Sequence, residues 1–501
     1  MSLIPTSSAC MTLTALLILG ACDGEAGTDA GGLPPDGAIE RDAASREDAG
    51  EDASVAPVAW IGEALASCTR PGEAGGTARG MDLRRVDIDL DVFPEARCAD
   101  GTGAVFYVRR ASAPGSAARW LIQLQGGGAC SSPDSCAQRW CSEGTNFGAD
   151  KLSSQFAPEA GTRAEGVLAA RPDNPFQTWN HVFVHYCSSD LWTGRQAEVE
   201  LDATHPIDAE PVRFRAAFQG ASIVDAVVAT LRGEAGSVMA GPDALPDLDE
   251  ADEVVLAGAS AGGAGVIYNL DRVAADLREH NVACDGATCP LSVYGLIDSI
   301  YGVRLDRLDF SSSSLCAEGL CTWEAFSRAD DAAKRAIWAP SLDDSCDAWH
   351  AAEGSPDGFR CTDNAYVIEH HVTTPFILRM GLTDSLIGGG MAERGFSVPE
   401  RGGAAIDIGL FAELVSEQLV ALPDLPRTAN EGASMTRSPG VYGPACPKHE
   451  TLSDGPNTYA VRVEVSGTPV SFAELIQAWR ADAGGVTSAV TVPGVNPSTC
   501  P

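Results

Sequence analysis

The 501-residue chain has no Cys-x-x-Cys pair, which argues against a zinc knuckle. It is short of positive charge: 34 Lys and Arg stand against 69 Asp and Glu, for a formal net charge of −35. A chain of that sign is a poor match for nucleic acid. No internal repeat is visible. Its most apolar N-terminal run, Met11–Ala21, is too short for a comfortable membrane span. A hydrophobic content of 45% is nevertheless that of a globular protein, and the length allows one large domain or two to three ordinary ones.

Residues 1–21 read as an export signal. Leu19-Gly20-Ala21-Cys22 looks like the lipobox of bacterial lipoproteins, which would make Cys22 a lipidated N-terminus, although no Lys or Arg precedes it. Asp23–Val55 is rich in Asp, Glu, Gly and Ala and has too little apolar surface to fold, so residues 22–58 are expected to be a disordered acidic tether. The folded domain is expected from Ala59 to the end of the chain. Setting Cys10 and Cys22 aside leaves 14 cysteines, an even number. Several disulfides in an oxidising compartment are expected, with Cys284/Cys289 and Cys316/Cys321 able to close small loops.

The most informative stretch is Glu253–Leu277. Val254-Val255-Leu256-Ala257 reads as a buried strand. Gly258-Ala259-Ser260-Ala261-Gly262 turns, and Val266, Ile267, Leu270, Val273, Ala274 and Leu277 recur at helical spacing. Strand, Gly-x-Ser-x-Gly, helix is the context of a nucleophile elbow, where small neighbours let a serine hydroxyl project clear of the sheet. In a chain with 53 glycines the motif alone is weak, so the case rests on partners.

Trp120–Leu124 reads as a strand running into Gln125-Gly126-Gly127-Gly128-Ala129. Backbone N–H groups of Gly127 and Gly128, with that of Ala261, are the expected oxyanion donors. Further strands are expected at His181–Cys187, Val293–Ser299 and Thr374–Gly381. Helices are expected in Arg213–Glu234, with a break or start near Gly220, in Ala404–Leu422 and in Ser471–Ala481, and an alternating strand at Thr458–Val465. Strands separated by helices imply a mostly parallel sheet covered on both faces, with ligands gathering at the carboxyl ends of the strands. Asp190, Ser260, Asp298 and Asp384 all fall there. Asp190, Trp192 and Asp298 are candidate pocket walls.

A serine needs a base, and the base a carboxylate. Of the histidines after Ser260, His280 ends the elbow helix, His350 reads as a surface residue, and His370 and His371 precede the strand leading to Asp384. His449, in a Gly/Pro-rich loop beyond Asp384, is the best candidate. Chain order favours Asp384 over Asp298 as its carboxylate. His185 with Asp190 is a chemically allowed alternative.

Leu124–Cys130 (LQGGGAC), His185–Gly194 (HYCSSDLWTG), Gly258–Gly263 (GASAGG), Ile297–Ser299, Pro375–Leu386 (PFILRMGLTDSL) and His449 after a cysteine together resemble the pectin acetylesterase/Notum carboxylesterase family. The resemblance implies an α/β-hydrolase-like fold, a mostly parallel central sheet flanked by helices, with disulfide-stapled insertions. It places the family's triad on Ser260, Asp384 and His449, and its oxyanion donors on Gly127, Gly128 and Ala261. Family members usually carry a bulky aromatic where this chain has Gly128 and Ala129, plant members have Cys where this chain has Glu450, and Val303–Asp363 matches nothing. The expectation is a secreted or cell-envelope, lipid-anchored serine ester hydrolase. It would act as a monomer on O-acetyl groups of a polysaccharide such as pectin and need no metal or organic cofactor. It would touch a membrane only through its lipid. A deacylase for lipid-modified protein and a non-catalytic binding protein on the same fold are the alternatives.

Overall fold

The computed structural model describes residues 57–68, 82–142, 147–286, 288–352, 354–425, 437–453, 458–482, 485–494, 496 and 498–500. The expected signal, Cys22 and the Asp23–Val55 tether lie outside them.

Strand β7 (Glu253–Ala259) lies near the middle of a nine-stranded sheet. Its side chains alternate between two cores. Val254 and Leu256 enter one hydrophobic cluster, and Val255, Ala257 and Ala259 enter the other. A strand buried on both faces must read as a continuous apolar run, and this one does. The sheet begins with β1 (Arg84–Asp87) and β2 (Val105–Arg109), which pair antiparallel. It continues through β4 (Asn180–Val184), β3 (Arg119–Leu124), β7, β8 (Ser292–Asp298) and β9 (Phe376–Arg379), and closes with the short strands Gly440–Gly443 and Ser488–Val490. From β4 onward every neighbouring pair is parallel. The elbow helix, Ala261–His280, covers one face, and helix Phe472–Ala481 covers the other. The second starts with the expected capping box, Ser471 with Glu474. This is the α/β-hydrolase-like fold.

Two elements differ from the sequence reading. Arg213–Phe218 is not helical: β5 (Gln196–Thr204) and β6 (Pro211–Phe218) form an antiparallel hairpin outside the main sheet, and a helix begins only at Gly220. Arg213 and Arg215 face Glu200 and Glu198 across that hairpin, so the alternating charges belong to cross-strand pairs. Thr458–Val465 is strand only over Arg462–Val465.

All 14 remaining cysteines pair, in seven disulfides. Cys284–Cys289 and Cys316–Cys321 close five-residue separations as the spacing predicts. Between β8 and β9 the chain leaves the sheet and folds into helices Trp323–Trp338, Asp344–Ala352 and Asn364–His370, stapled by Cys346–Cys361. His350 is not a surface residue: it is 7% exposed and contacts the Tyr366 hydroxyl through Nε2 at 3.2 Å. Among the described residues no helix is long and apolar enough to cross a membrane.

The elbow requires glycine where helix meets sheet. A Cβ on Gly262 would run into the Leu124 carbonyl oxygen of β3, and one on Gly258 into the carbonyl of Gly262. Gly262→Ala is therefore expected to lower stability by about 2 kcal/mol or more, because backbone must move rather than a side chain tip. Chemical denaturation midpoints measure this.

Candidate active site

Ser260 sits between β7 and the elbow helix with φ 54° and ψ −123°. A non-glycine residue in the left-handed region costs roughly 1–3 kcal/mol, so its surroundings must hold it. They do: its N–H donates to the Asp298 carbonyl at 2.9 Å and its carbonyl accepts from Ala264 N–H at 3.0 Å. The hydroxyl stands at the N-terminus of a 20-residue helix, whose dipole favours negative charge at that point.

The Gly-rich loop follows β3. Gly127 has φ 142° and Gly128 φ 64°, both beyond ordinary L-residue backbone. The N–H groups of Gly127, Gly128 and Ala261 donate no hydrogen bond among the described residues, as expected of groups free to bind an oxyanion. Their loop is clamped on both sides. Trp192 Nε1 donates to the Gln125 carbonyl at 3.1 Å, Cys130 N–H to the Ser189 carbonyl at 2.9 Å, and Trp338 Nε1 to the Cys130 carbonyl at 2.8 Å.

His449 Nδ1–H donates to Asp384 Oδ2 at 2.7 Å, and Asp384 is fully buried. The other carboxylate oxygen accepts from the N–H groups of Leu386 and Ile387 at 2.9 and 3.0 Å, which fixes its plane. Burial pushes the His449 pKa down, but the hydrogen bond and charge of Asp384, with Glu450 and Asp298 nearby, outweigh it and raise the pKa above the ordinary value. His449 Nε2 is buried with no hydrogen-bond partner among the described residues, and Ser260 Oγ makes none either. The structure thus joins Asp384 to His449 and leaves the serine-to-imidazole bond open, as is common before substrate binds. The alternative pair is not formed: His185 Nε2 faces the Ser153 carbonyl at 3.2 Å, and Asp190 holds backbone.

Asp190, Trp192 and Asp298 do not line the cleft. Asp190 is fully buried and receives Ser188 Oγ at 2.6 Å and the N–H groups of Trp192 and Gly220 at 3.0 and 2.7 Å. Trp192 is fully buried against Tyr186, with ring centroids 5.0 Å apart. Asp298 pairs with Arg379 at 2.8 Å, neither side chain exposed, and receives the N–H groups of Thr451 and Leu452 at 2.8 and 3.0 Å. Burial would raise its pKa; the Arg379 charge and these hydrogen bonds hold it below the ordinary value. All three are positioning residues behind the site.

Two cavities meet at the Gly-rich loop. One, of about 70 Å³, is lined by Gly128, Ala129, Ser260 and Ala261 on one side and by residues of the β8–β9 insertion on the other. The second, of about 590 Å³, is lined by Gly126, Gly127, Lys151, Arg163, His449 and Glu450. The sequence reading missed Glu450, Lys151 and the insertion residues. Arg379 did leave a signal: an arginine within the apolar run Pro375–Met380 needs a buried acid. Elsewhere, Cys346, His350 and His371 bring possible ligand atoms within 4.8 Å of one another, but Cys346 is held in its disulfide to Cys361.

The Pectinacetylesterase family profile matches residues 84–501. Palmitoleoyl-protein carboxylesterase NOTUM of Homo sapiens is 31% identical over 250 residues, and notum2 of Xenopus laevis 31% over 233, covering 50% and 45% of this chain. These matches span only 41% and 40% of the two relatives' own lengths. The crystal structure of the Wnt deacylase Notum from Drosophila superimposes with a TM-score of 0.52 at 23% identity, covering 80% of this chain and 93% of that one, and so shares the fold.

Removing one partner of the buried Asp298–Arg379 pair leaves the other charge uncompensated. Arg379→Met is expected to destabilise the protein by about 3–5 kcal/mol. Asp384→Asn, which keeps the shape, is expected to shift the unfolding midpoint far less. Parallel urea titrations of the two variants separate a fold-holding acid from a base-orienting one.

Proposed function

Because this chain belongs to the pectinacetylesterase family, a family of ester hydrolases, we propose that it is a secreted serine esterase removing O-acetyl groups from a polysaccharide such as pectin. The observation that carries the reading is the His449–Asp384 hydrogen bond, with imidazole Nε2 unpaired among the described residues, and with Ser260 and His449 lining two cavities that share the Gly-rich loop. Ser260 Oγ attacks the ester carbonyl while His449 Nε2 takes its proton. The oxyanion rests on the N–H groups of Gly127, Gly128 and Ala261. The carbon–oxygen bond breaks, and the alcohol leaves with the proton from His449. Water, activated by the same imidazole, then releases the acid and restores Ser260.

The cavities support the division of the substrate. The Ser260 side, about 70 Å³, is roughly half the ~150 Å³ that admits a benzene ring. It suits an acetyl group and opposes a long lipid chain. The larger cleft has Gln123, Gln125, Lys151, Arg163 and Ser453 with Phe147 and Phe183, a mixture of polar and aromatic groups that suits a sugar. Lys151 and Arg163 are the cations of this cleft, but Lys151 Nζ pairs with Asp150 Oδ2 at 2.9 Å and Glu165 and Glu450 share the lining, so the cleft brings no net positive charge to an acidic polysaccharide. Seven disulfides support an oxidising compartment, and anchoring through Cys22 belongs to the proposal.

A p-nitrophenyl ester series tests this. kcat/KM is expected to fall at least about 100-fold from acetate to octanoate, and to vanish in Ser260→Ala. Preference for long chains would move the reading to deacylation of lipid-modified protein, and equal slow turnover by both proteins would leave a binding protein. The base must be neutral, so activity should rise with pH through the His449 pKa, with its midpoint above ~6.5. Asp384→Asn should lower that midpoint and reduce kcat by about 10⁴-fold.

A further inference from the structure

Glu450 follows the base directly in the chain, and the mechanism above gives it no task. It lines the larger cleft together with Gly126, Gly127, Lys151 and His449. Its backbone is fixed. The φ of 53° lies in the left-handed region, which is costly for any residue but glycine, and its N–H donates to Ser299 Oγ at 3.1 Å. The next two N–H groups are held by the Asp298 carboxylate. From this fixed root the side chain turns toward the oxyanion loop. A Cβ on Gly126 would collide with both Glu450 Oε1 and the Ala259 carbonyl oxygen. The carboxyl therefore lies against the residue before Gly127 and beside the residue before Ser260. Glu450 is half-buried, and among the described residues it makes a hydrogen bond only through its backbone N–H.

The neighbouring charges do not cancel it. Lys151 Nζ pairs with Asp150 Oδ2 at 2.9 Å, and Arg379 is matched by Asp298 with neither side chain exposed. Arg163 lies 4.0 Å from Glu165, with both side chains more than half exposed, where water and salt screen them. The imidazole gains one positive charge as it takes the Ser260 proton, and Asp384 balances that charge. Glu450 is the charge left over on the alcohol side of the ester.

The alcohol oxygen must come within hydrogen-bond reach of His449 Nε2 to receive its proton. A sugar carrying that oxygen stands beside Glu450, and an acid on the same ring falls inside the Debye length of about 8 Å at 0.15 M salt. Like charges repel there, in a confined cleft, whereas a neutral sugar can donate a hydroxyl to the same carboxylate. We propose that Glu450 is a specificity residue that selects an uncharged alcohol: the ester-bearing sugar is neutral, or is a uronic acid whose own carboxyl is esterified. This rests on the esterase reading above and narrows its substrate class.

The test compares the 3-O-acetyl derivatives of methyl galactoside and methyl galacturonide, which differ in a hydroxymethyl group against a carboxylate. Acetate release by the full chain is followed at about pH 8, because burial raises the Glu450 pKa and the carboxyl must be ionised. kcat/KM is expected to be about tenfold or more higher for the galactoside. Glu450→Gln, which keeps the shape and removes the charge, should bring the ratio to within about twofold of one, chiefly by raising the galacturonide rate. Raising NaCl from about 20 mM to about 0.5 M should shrink the wild-type ratio in the same direction, and it serves alone if the glutamine variant does not fold. A wild-type ratio of one or below, a ratio unmoved by salt, or a wild-type ratio kept by a folded Glu450→Gln overturns the Glu450 assignment and leaves the esterase reading standing. Turnover of p-nitrophenyl acetate but of neither sugar overturns the assignment together with the sugar. Failure on all three substrates, with Ser260→Ala indistinguishable from wild type, overturns the esterase reading instead.

Discussion

Asp298 is held at both its ends, and the two halves of the site hang from it. Its backbone carbonyl takes the N–H of Ser260, which keeps the strained elbow in place. Its carboxylate takes Thr451 and Leu452, just past His449, and Ser299 next to it receives the N–H of Glu450 through its hydroxyl at 3.1 Å. The register explains why this residue can do both. Asp298 is the last residue of β8 and pairs with Ala259 on one side and Arg379 on the other, so it sits level with the elbow at the carboxyl edge of the sheet. The arrangement requires a buried charge, which is unfavourable on its own, and Arg379 answers it. Two of the guanidinium nitrogens of Arg379 find no partner among the described residues, while the group lies 6.0 Å from the Phe472 ring. A pair with such incomplete satisfaction is better explained by the positions it fixes than by the stability it adds.

The Gly-rich loop has a comparable double role. Consecutive glycines face different spaces: Gly126 and Gly127 line the large cleft, Gly128 the small cavity. An ester bridging this loop would present its carbonyl to the free N–H groups, with acyl group and alcohol on opposite sides. Side chains at these positions would fill the passage. A Cβ on Gly127 would press on the Lys151 stem, and one on Gly126 on the carboxyl of Glu450.

What was legible in the sequence was what the sheet dictates. Apolar runs of five to seven residues followed by glycine or aspartate are forced by a strand buried on both faces and ending at a site, and β3, β4, β7, β8 and β9 were all readable that way. The Asp384–His449 contact spans 65 residues, and chain order was enough to suggest it because both follow neighbouring strand ends. The roles of Asp190, Trp192 and Asp298 were not legible. A polar residue after a strand looks the same in sequence whether it points into a cleft or turns back to hold backbone, and only burial with three or four internal hydrogen bonds tells them apart. The β6 strand was misread because its apolar residues run directly into a helix at Gly220, so one continuous hydrophobic pattern covers two elements.

The same distinction governs how far a family assignment reaches. Ser260, His449 and the Gly-rich loop all follow strand ends, where the geometry of a parallel sheet places them, and a match at 23% identity carries the fold alone. The far wall of the Ser260 cavity comes from the β8–β9 insertion, which has no place in the main sheet's register. Its helices are tied to the rest of the chain by Trp338 on the Cys130 carbonyl, by the N–H of Arg195 on the Trp338 carbonyl and by Ser341 N–H on the Thr193 carbonyl, with the Cys346–Cys361 staple inside it. That wall is therefore less constrained by the fold than Ser260 or His449, and a fold match says least about it. The choice between a long and a short acyl chain is physical. Ile300, Val303, Leu305 and Phe326 line that space together with the Lys334–Asp330 pair, so what weighs against a long chain is its size, about 70 Å³, rather than its polarity.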